Sequence, residues 1–327
     1  MKILYINDSS ADYVQDLTYS GLVKKFGISN VVDFKWNKKY HIPYKEYPKN
    51  LGYMGGVITS LFNSLNINFK TFDLIFLASA KKETFETYIS IAHKIPKNTP
   101  IIFLDGGDGE DIGSDLILKH HNELFNKAIS IRPFDYIFKR EVIIGKKYDD
   151  NVFPLPMSFN FDKLPKNFYT KTKNYKYDVS FWAVESHPFR TEVLNFLEDK
   201  FDCQSNGTTK NQKFSKYKRK GLFYLEELGN CKIVINVRGG GWDTMRYWEV
   251  PAIGGFMLSQ KLDIVIPNNF EHEKEAVFFT KTTDIEDLCN FYLKNDSKRE
   301  QIAKNALNKM HTFHTDIKRV EYILSKI

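Results

Sequence analysis

The stretch from Cys231 to Gln260, CKIVINVRGGGWDTMRYWEVPAIGGFMLSQ, indicates the fold class of the chain. It opens with a short apolar run of β-branched residues, a pattern typical of a buried strand in a parallel sheet. Three glycines follow, Gly239 to Gly241, and the pair Asp243-Thr244 can then cap a short helix over residues 245–250. A second short apolar strand closes the stretch. Strand, turn, helix and strand in this order predict an α/β fold with a parallel sheet.

The glycine turn and the helix start together form a candidate anion site. Glycines let a phosphate approach the backbone, and the free N–H groups of the first helical turn point at it. Arg246 lies one turn inside the helix and can pair with the same phosphate. Glu249 shares its face and can accept protons from two neighbouring ribose hydroxyls. The same residues also fit an ordinary βαβ crossover with a surface Arg–Glu pair.

The string R-Y-W-E-V-P-A-I-G-G-F at 246–256 resembles the R-x-x-E-x-x-A-x-G-G-F signature of the spore-maturation-protein-like glycosyltransferases, a GT-B family. Other passages resemble the same family: F-K-R-E at 138–141, the Pro-rich 153–159, D-V-S-F at 178–181, an acidic residue before V-x-F at 270–279, and the ending His314-Thr315 with Arg319. The resemblance covers residues from about Phe153 to Leu324 and the first half only by layout. Asp316 stands where the family has an aromatic residue.

The resemblance implies a GT-B fold, with two Rossmann-like domains facing a cleft. The domains expected from it are an acceptor domain at 1–158, a linker at 159–176, a donor domain at 177–310 and a C-terminal helix at 311–327 that crosses back to the first domain. It also implies transfer of a sugar from a UDP- or GDP-sugar to an acceptor hydroxyl on a glycan, a lipid-linked compound or another molecule. The expected process is the synthesis of a surface glycan or glycoconjugate, with no metal and no other cofactor required.

Donor-binding residues are expected around the glycine turn and around a second helix start. The resemblance implies that Glu249 holds the ribose and that Arg246 holds the diphosphate. His187 and Arg190 belong to the second helix start, where Ser186 is a suitable N-cap, and they face either the ligand or solvent. The full predicted set is Arg238, Gly240, Gly241, Trp242, Asp243, Thr244, Arg246, Glu249, His187 and Arg190.

An acidic, glycine-rich loop, D-G-G-D-G-E-D, follows the predicted buried strand at 100–104. Loops after the carboxyl ends of parallel strands line the ligand crevice of such folds. A carboxylate in this loop can deprotonate an acceptor hydroxyl, so Asp105, Asp108 and Glu110 are the predicted catalytic residues. Two alternatives stay open: a divalent-cation site, although the spacing is not that of a Ca²⁺ loop, and a solvated turn that caps the next helix.

Two further places are predicted on the acceptor side. Asp8 and Ser9 follow the first strand and either contact a ligand or cap a helix. Gly55 and Gly56 precede an amphipathic run over residues 57–65 and predict a glycine-led helix start facing the crevice. Chain flexibility explains this glycine pair nearly as well.

Composition limits the remaining possibilities. The net charge of +7 favours anionic partners, and the basic and aromatic run at 210–220 suits nucleic acid, an anionic surface or a solvated loop. Three widely spaced cysteines support neither a zinc site nor a disulfide framework, and a reducing compartment fits best. No stretch resembles a signal peptide or a membrane span, so the protein is expected in the cytoplasm, with peripheral membrane contact possible.

Two other functions remain open at this stage. One is a nucleotide-binding module that has lost its chemistry, which the same fold permits. The other is a nucleic-acid-binding protein or a nucleic-acid-modifying transferase, which the positive charge favours.

Overall fold

The computed structural model describes residues 1–42, 54–170, 175–180, 186–197, 200–201 and 221–327. The basic run at 210–220 and the last residue of the D-V-S-F string lie outside these residues. The chain forms two compact units. Unit 1 comprises Met1–Asn160, Ile264–Pro267 and Asp316–Ile327, and unit 2 comprises Phe161–Asp263 and Asn268–Thr315.

Unit 1 contains a six-stranded parallel sheet in the order β2-β1-β3-β4-β5-β6. Its strands are β1 (Ile3–Ile6), β2 (Val31–Phe34), β3 (Leu74–Leu77), β4 (Ile101–Asp105), β5 (Tyr136–Lys139) and β6 (Val152–Pro154). Every residue of β1, β3 and β4 is buried, as expected for parallel strands covered on both faces. The predicted parallel α/β sheet is confirmed.

The Pro-rich passage at 153–159 begins within a strand. Val152–Pro154 pairs in parallel with β5 at the edge of the sheet. A proline tolerates this place because an edge strand needs fewer backbone donors than a central strand.

Six helices of unit 1 precede residue 160. They are α1 (Tyr13–Phe26), α2 (Lys38–His41), α3 (Val57–Leu65), α4 (Lys82–Ile91), α5 (Ser114–Leu118) and α6 (Asn122–Ile131). Asp12 is the N-cap of α1, and its carboxylate accepts from the backbone N–H of Gln15 at 3.1 Å. Short 3₁₀ helices occur at Phe69–Thr71 and Ala92–Lys94.

Unit 2 contains a four-stranded parallel sheet in the order β10-β9-β8-β7. The strands are β7 (Tyr177–Ser180), β8 (Cys231–Asn236), β9 (Met257–Gln260) and β10 (Val277–Phe279). The helices are α7 (Pro188–Leu197), α8 (Gly221–Gly229), α9 (Met245–Ala252), α10 (Asp284–Lys294) and α11 (Asp296–Phe313), with 3₁₀ helices at Phe161–Lys163 and Phe168–Thr170. Apolar side chains of these strands and of α7, α10 and α11 form one buried core.

The last helix, α12 (Asp316–Leu324), belongs to unit 1 and packs on α1. Asp316, the residue that departs from the family pattern, is buried and pairs with Lys24 Nζ at 2.8 Å. It also accepts a hydrogen bond from Ser20 Oγ at 2.5 Å. A Cβ on Gly21 would lie 2.3 Å from the Asp316 carbonyl oxygen, so only glycine permits this approach. A buried ion pair thus replaces the expected aromatic contact.

None of the described helices is both long enough and apolar enough to cross a membrane.

Candidate functional site

The turn between β8 and α9 brings an arginine from another helix against its backbone. Gly239 N–H donates to the Gly241 carbonyl at 2.9 Å and closes the turn. A Cβ on Gly239 would lie 2.9 Å from Arg190 Nη2, so the missing side chain makes room for the guanidinium. Arg190 lies on α7, and α7 and the turn come together because β7 and β8 are parallel neighbours. The structure thus unites two segments that were predicted separately.

Hydrogen bonds to the glycine turn and to the start of α7 hold Arg190 in place. Its Nε donates to the Arg238 carbonyl at 2.8 Å, and Nη1 donates to Ser186 Oγ at 3.0 Å. Burial lowers the pKa of Arg190 to about 10, and the nearby charge of Arg246 contributes to this shift. Two guanidinium groups that repel each other at the carboxyl end of a strand favour an anionic ligand.

Arg246 is nearly buried, with 8% of its surface exposed. Its Nη1 is 3.5 Å from the Ile235 carbonyl, a weak contact, and among the described residues no acceptor bonds its Nε. A buried guanidinium N–H without an acceptor is costly, and an oxyanion would remove that cost. The Nε of Arg238 is likewise buried and has no acceptor among the described residues. The guanidinium of Arg238 stacks 4.1 Å above the Trp242 ring. Three arginines therefore surround the glycine turn.

Glu249 is buried one turn further along α9 and is held by a tyrosine. Tyr224 Oη on α8 donates to Glu249 Oε2 at 3.1 Å. Burial and the Glu249 charge raise the pKa of Tyr224 well above its ordinary value, so the hydroxyl keeps its proton. Arg246 interacts with the same hydroxyl. Sequence reasoning missed Tyr224, because no local pattern links a helix residue to a partner 25 positions later.

Other predicted donor residues have structural partners. Asp243 is buried and accepts a hydrogen bond from Trp248 Nε1 at 2.6 Å, and this bond ties α9 to the residue before its N-cap. Thr244 is the N-cap residue of α9, but its hydroxyl donates to Asn236 Oδ1 at 2.7 Å. The Thr244 side chain therefore makes no capping bond to the first turn of α9. Tyr247 N–H donates to the Thr244 carbonyl at 3.0 Å. Gly240 is exposed, at the outer side of the turn.

His187 lies beside the arginines at the start of α7. Partial burial lowers the pKa of His187 below its ordinary value, and Arg238 and Arg190 lower the pKa further. The imidazole is therefore neutral at pH 7 in the free protein. An anion bound at the turn would favour the protonated form.

Asp105, a predicted catalytic residue of unit 1, is fully buried. Lys139 Nζ, which is also fully buried, donates to Asp105 Oδ2 at 3.1 Å. The carboxylate also accepts from the backbone N–H of Gly113 at 2.9 Å and of Gly107 at 3.3 Å. These contacts close the acidic loop, so Asp105 has a structural task there.

The other two predicted catalytic residues are exposed. The Asp108 side chain is 53% exposed and pairs with Arg140. The Glu110 side chain is 65% exposed and lies 3.5 Å from Lys146 Nζ. Both carboxylates are accessible to solvent, whereas Asp105 is not.

Asp12 is a further carboxylate that sequence reasoning missed. A Cβ on Gly106 would lie 2.9 Å from Asp12 Oδ1, so the Asp12 carboxylate lies against the acidic loop. Burial raises the pKa of Asp12, and the nearby charges of Lys81 and Arg140 oppose that shift. The signal that could have found it is the D-x-x-Q pattern of a helix N-cap at 12–15, at the carboxyl edge of the sheet.

The predicted acceptor-side residues differ in their exposure. Asp8 is buried, and its Oδ1 accepts from the Ser10 N–H at 2.7 Å within a turn. Ser9 is exposed and lines a cavity of about 540 Å³ that also includes Asn7 and Trp36. The structure does not bring Gly55 and Gly56 to this cavity: they adopt left-handed φ values of 76° and 65° at the start of α3.

Among the residues that the structure describes, no three His, Cys, Asp or Glu side chains converge as a cation site would require.

Sequence comparison finds a family match over part of the chain. Residues 193–325 match the family model described as glycosyl transferase-like. This segment contains α9 and two of the three arginines at the glycine turn. No curated protein matches the chain significantly.

Structural comparison finds similar folds over the whole chain. The Anabaena protein HepE, solved in complex with UDP-glucose, has 13% identity and a TM-score of 0.60, with 99% of this chain and 98% of that chain covered. Sucrose-phosphate synthase from Thermosynechococcus elongatus has 8% identity and a TM-score of 0.60 at the same coverage. An alpha-glucosyltransferase in complex with UDP and a 13-mer DNA has 10% identity and a TM-score of 0.59, again at that coverage. The predicted resemblance is confirmed: the chain has the GT-B glycosyltransferase fold, and residues 193–325 carry the glycosyl transferase-like match.

Proposed function

We propose that this protein transfers a sugar from a nucleotide-sugar donor to an acceptor hydroxyl. The observation that carries the proposal is the group of three arginines, Arg190, Arg238 and Arg246, around the glycine turn that leads into α9. Positive charge and free backbone N–H groups are what a diphosphate needs. The UDP complexes of the similar structures support UDP-sugars as the first donors to test.

In the proposed mechanism, the arginines stabilise the leaving diphosphate. Negative charge grows on the diphosphate oxygen as its bond to the sugar breaks. Arg246 is buried and hydrogen bonds hold Arg190, so both meet this charge with little rearrangement. The guanidinium groups supply positive charge at this place, and we therefore propose that the transfer needs no metal or other cofactor.

A carboxylate of unit 1 is the proposed base for the acceptor. Asp108 and Glu110 are accessible to solvent. The pKa of Asp12 is raised toward neutral pH, and a general base is most effective when its pKa lies near the working pH. The accessible carboxylates at the carboxyl edge of the sheet support this role, whereas the buried pair of Asp105 with Lys139 favours a structural role for Asp105. We propose a glycan or a lipid-linked compound as the acceptor.

Nucleic acid is a second candidate acceptor. The net charge of +7 favours it, and one similar structure was solved with DNA. Transfer of labelled sugar to duplex DNA, compared with transfer to glycan acceptors, distinguishes the two classes of acceptor.

Substitution of Glu249 tests the proposed donor site directly. If its carboxylate holds the ribose, Glu249→Gln should weaken UDP binding by about 10-fold or more, because a hydrogen bond to a charged group contributes roughly 1.5–3 kcal/mol. Calorimetry with UDP and with 2′-deoxy-UDP separates this contact from the rest of the site. The wild type should prefer UDP, and the variant should bind both ligands nearly equally.

Glu227→Gln is the matched control. Glu227 is another buried glutamate of unit 2 and bonds Lys176 at 3.0 Å and Asn230 at 3.1 Å. Its variant should keep the preference for UDP. The ribose role is wrong if the Glu249 variant keeps that preference too.

Donor binding should also depend on pH through His187. The pKa of His187 is lowered in the free protein and should rise beside a bound diphosphate, so binding takes up a proton between the two pKa values. The affinity for UDP-glucose should therefore increase as the pH falls from about 8 to about 6. Titrations across this range should show the increase for the wild type and a flatter profile for His187→Gln. An equally steep profile for the variant would assign the proton to another group.

A further inference from the structure

Helix α3 shows its apolar side to solvent. All nine residues of the helix are described, and Ser60 alone is buried. Five apolar side chains are exposed, Val57 by 40%, Ile58 by 85%, Leu61 by 41%, Phe62 by 66% and Leu65 by 75%. A helix packed on a soluble domain normally has the opposite arrangement.

Four of these five residues form one continuous stripe. With about 100° between successive residues, Ile58, Leu61, Phe62 and Leu65 fall within an arc of about 100°. The polar residues opposite the stripe hold the helix to the domain. Trp36 Nε1 donates to Ser60 Oγ at 2.9 Å, and Asn63 Nδ2 donates to the Ser29 carbonyl at 3.4 Å. The orientation of the helix is therefore fixed by its polar face.

The sequence on both sides of α3 is rich in lysine. Between Asp33 and Asp73 the sequence contains six lysines and one acidic residue. Lys35 follows β2 and Lys38 begins α2; both are exposed, and α3 packs on β2 and α2. An apolar stripe on a helix that packs on lysine-bearing elements matches an interfacial helix that inserts among anionic lipids.

We propose that α3, with Lys35 and Lys38, docks this protein on the surface of an anionic lipid bilayer. A second copy of the chain fits this face less well, because a two-fold interface would bring the same lysines close to each other. Anionic headgroups instead complement the lysines while the stripe enters the headgroup boundary. Docking does not depend on the transferase activity and would hold the enzyme at lipid-borne acceptors.

Vesicle sedimentation with the full chain tests the proposal. The wild type should bind phosphatidylglycerol-containing vesicles much more strongly than pure phosphatidylcholine vesicles, and added salt should weaken binding. The double variant Ile58→Ser/Phe62→Ser should lose at least about tenfold in partitioning, since two large apolar side chains no longer insert. Lys35→Glu/Lys38→Glu should lose about fivefold or more for each lysine.

The matched control is Ile117→Ser/Leu118→Ser, which removes two exposed apolar side chains from α5 of the same unit. This control should bind vesicles like the wild type. All variants should bind UDP normally, because the arginine site lies in unit 2; this readout separates docking from the proposed transferase function. The proposal is overturned if the wild type binds no vesicles of any composition, or if the α5 control loses as much vesicle binding as the α3 variant. It is also overturned if light scattering shows a dimer that the α3 variant abolishes.

Discussion

Asp105→Ala should lower the free energy of unfolding by about 3–5 kcal/mol, the usual effect of breaking a buried ion pair. The substitution leaves the Lys139 ammonium fully buried without its carboxylate. It also leaves the backbone N–H groups of Gly107 and Gly113 without their acceptor. Urea unfolding followed by circular dichroism measures the loss.

Asp108→Ala provides the comparison. This carboxylate is 53% exposed and its pair with Arg140 is solvent-screened, so the stability should change by less than about 1 kcal/mol. If Asp108 is the acceptor base, turnover should fall while stability is kept. The reverse result, a stable but inactive Asp105 variant, would restore the catalytic role that the sequence predicted for Asp105.

A second substitution shows whether the ion pair itself is responsible. Lys139 also donates to the carbonyls of Gly109 at 2.8 Å and Asp111 at 3.0 Å, so it holds the acidic loop. Lys139→Met should be strongly destabilising by itself. The double variant should be more stable than the sum of the two single losses predicts, because no buried charge is left unpaired.

The sequence predicts which residues lie together at the glycine turn where those residues are local. Arg246 and Glu249 lie three residues apart on α9, and the glycine turn precedes them, so the spacing alone predicts which residues cluster. Residue types at fixed spacing on one helix need no tertiary information. The same is true of α3, whose amphipathic pattern predicts the helix at 57–65.

Tertiary pairing decides the rest and leaves no local signal. Tyr224 reaches Glu249 across 25 positions, and Asp316 reaches Lys24 across almost the whole chain. A pattern of apolar residues also cannot tell which way a helix faces: the stripe on α3 has the spacing of a buried face and yet is exposed. An acidic loop likewise predicts carboxylates but not which of them a distant lysine neutralises.

Arg246→Ala should weaken donor binding and lower kcat/KM for the donor by about 10- to 150-fold, which corresponds to roughly 1.5–3 kcal/mol for a charged hydrogen bond. The guanidinium is nearly buried beside Arg190, so solvent cannot replace it when charge develops on the diphosphate. Calorimetry with UDP gives the ground-state part of the loss, and steady-state kinetics gives the remainder. A larger loss in kcat/KM than in affinity would show that Arg246 acts mainly on the transition state.

Arg299→Met is the matched control for this substitution. Arg299 is also a buried arginine of unit 2, and it bonds Asp296 and the Tyr292 carbonyl, both at 2.7 Å. Its loss should lower stability and leave the UDP affinity of the folded protein unchanged. If both arginine variants weaken UDP binding equally, the effect reflects the stability of unit 2. If neither does, the diphosphate binds away from the glycine turn and the proposed donor site is wrong.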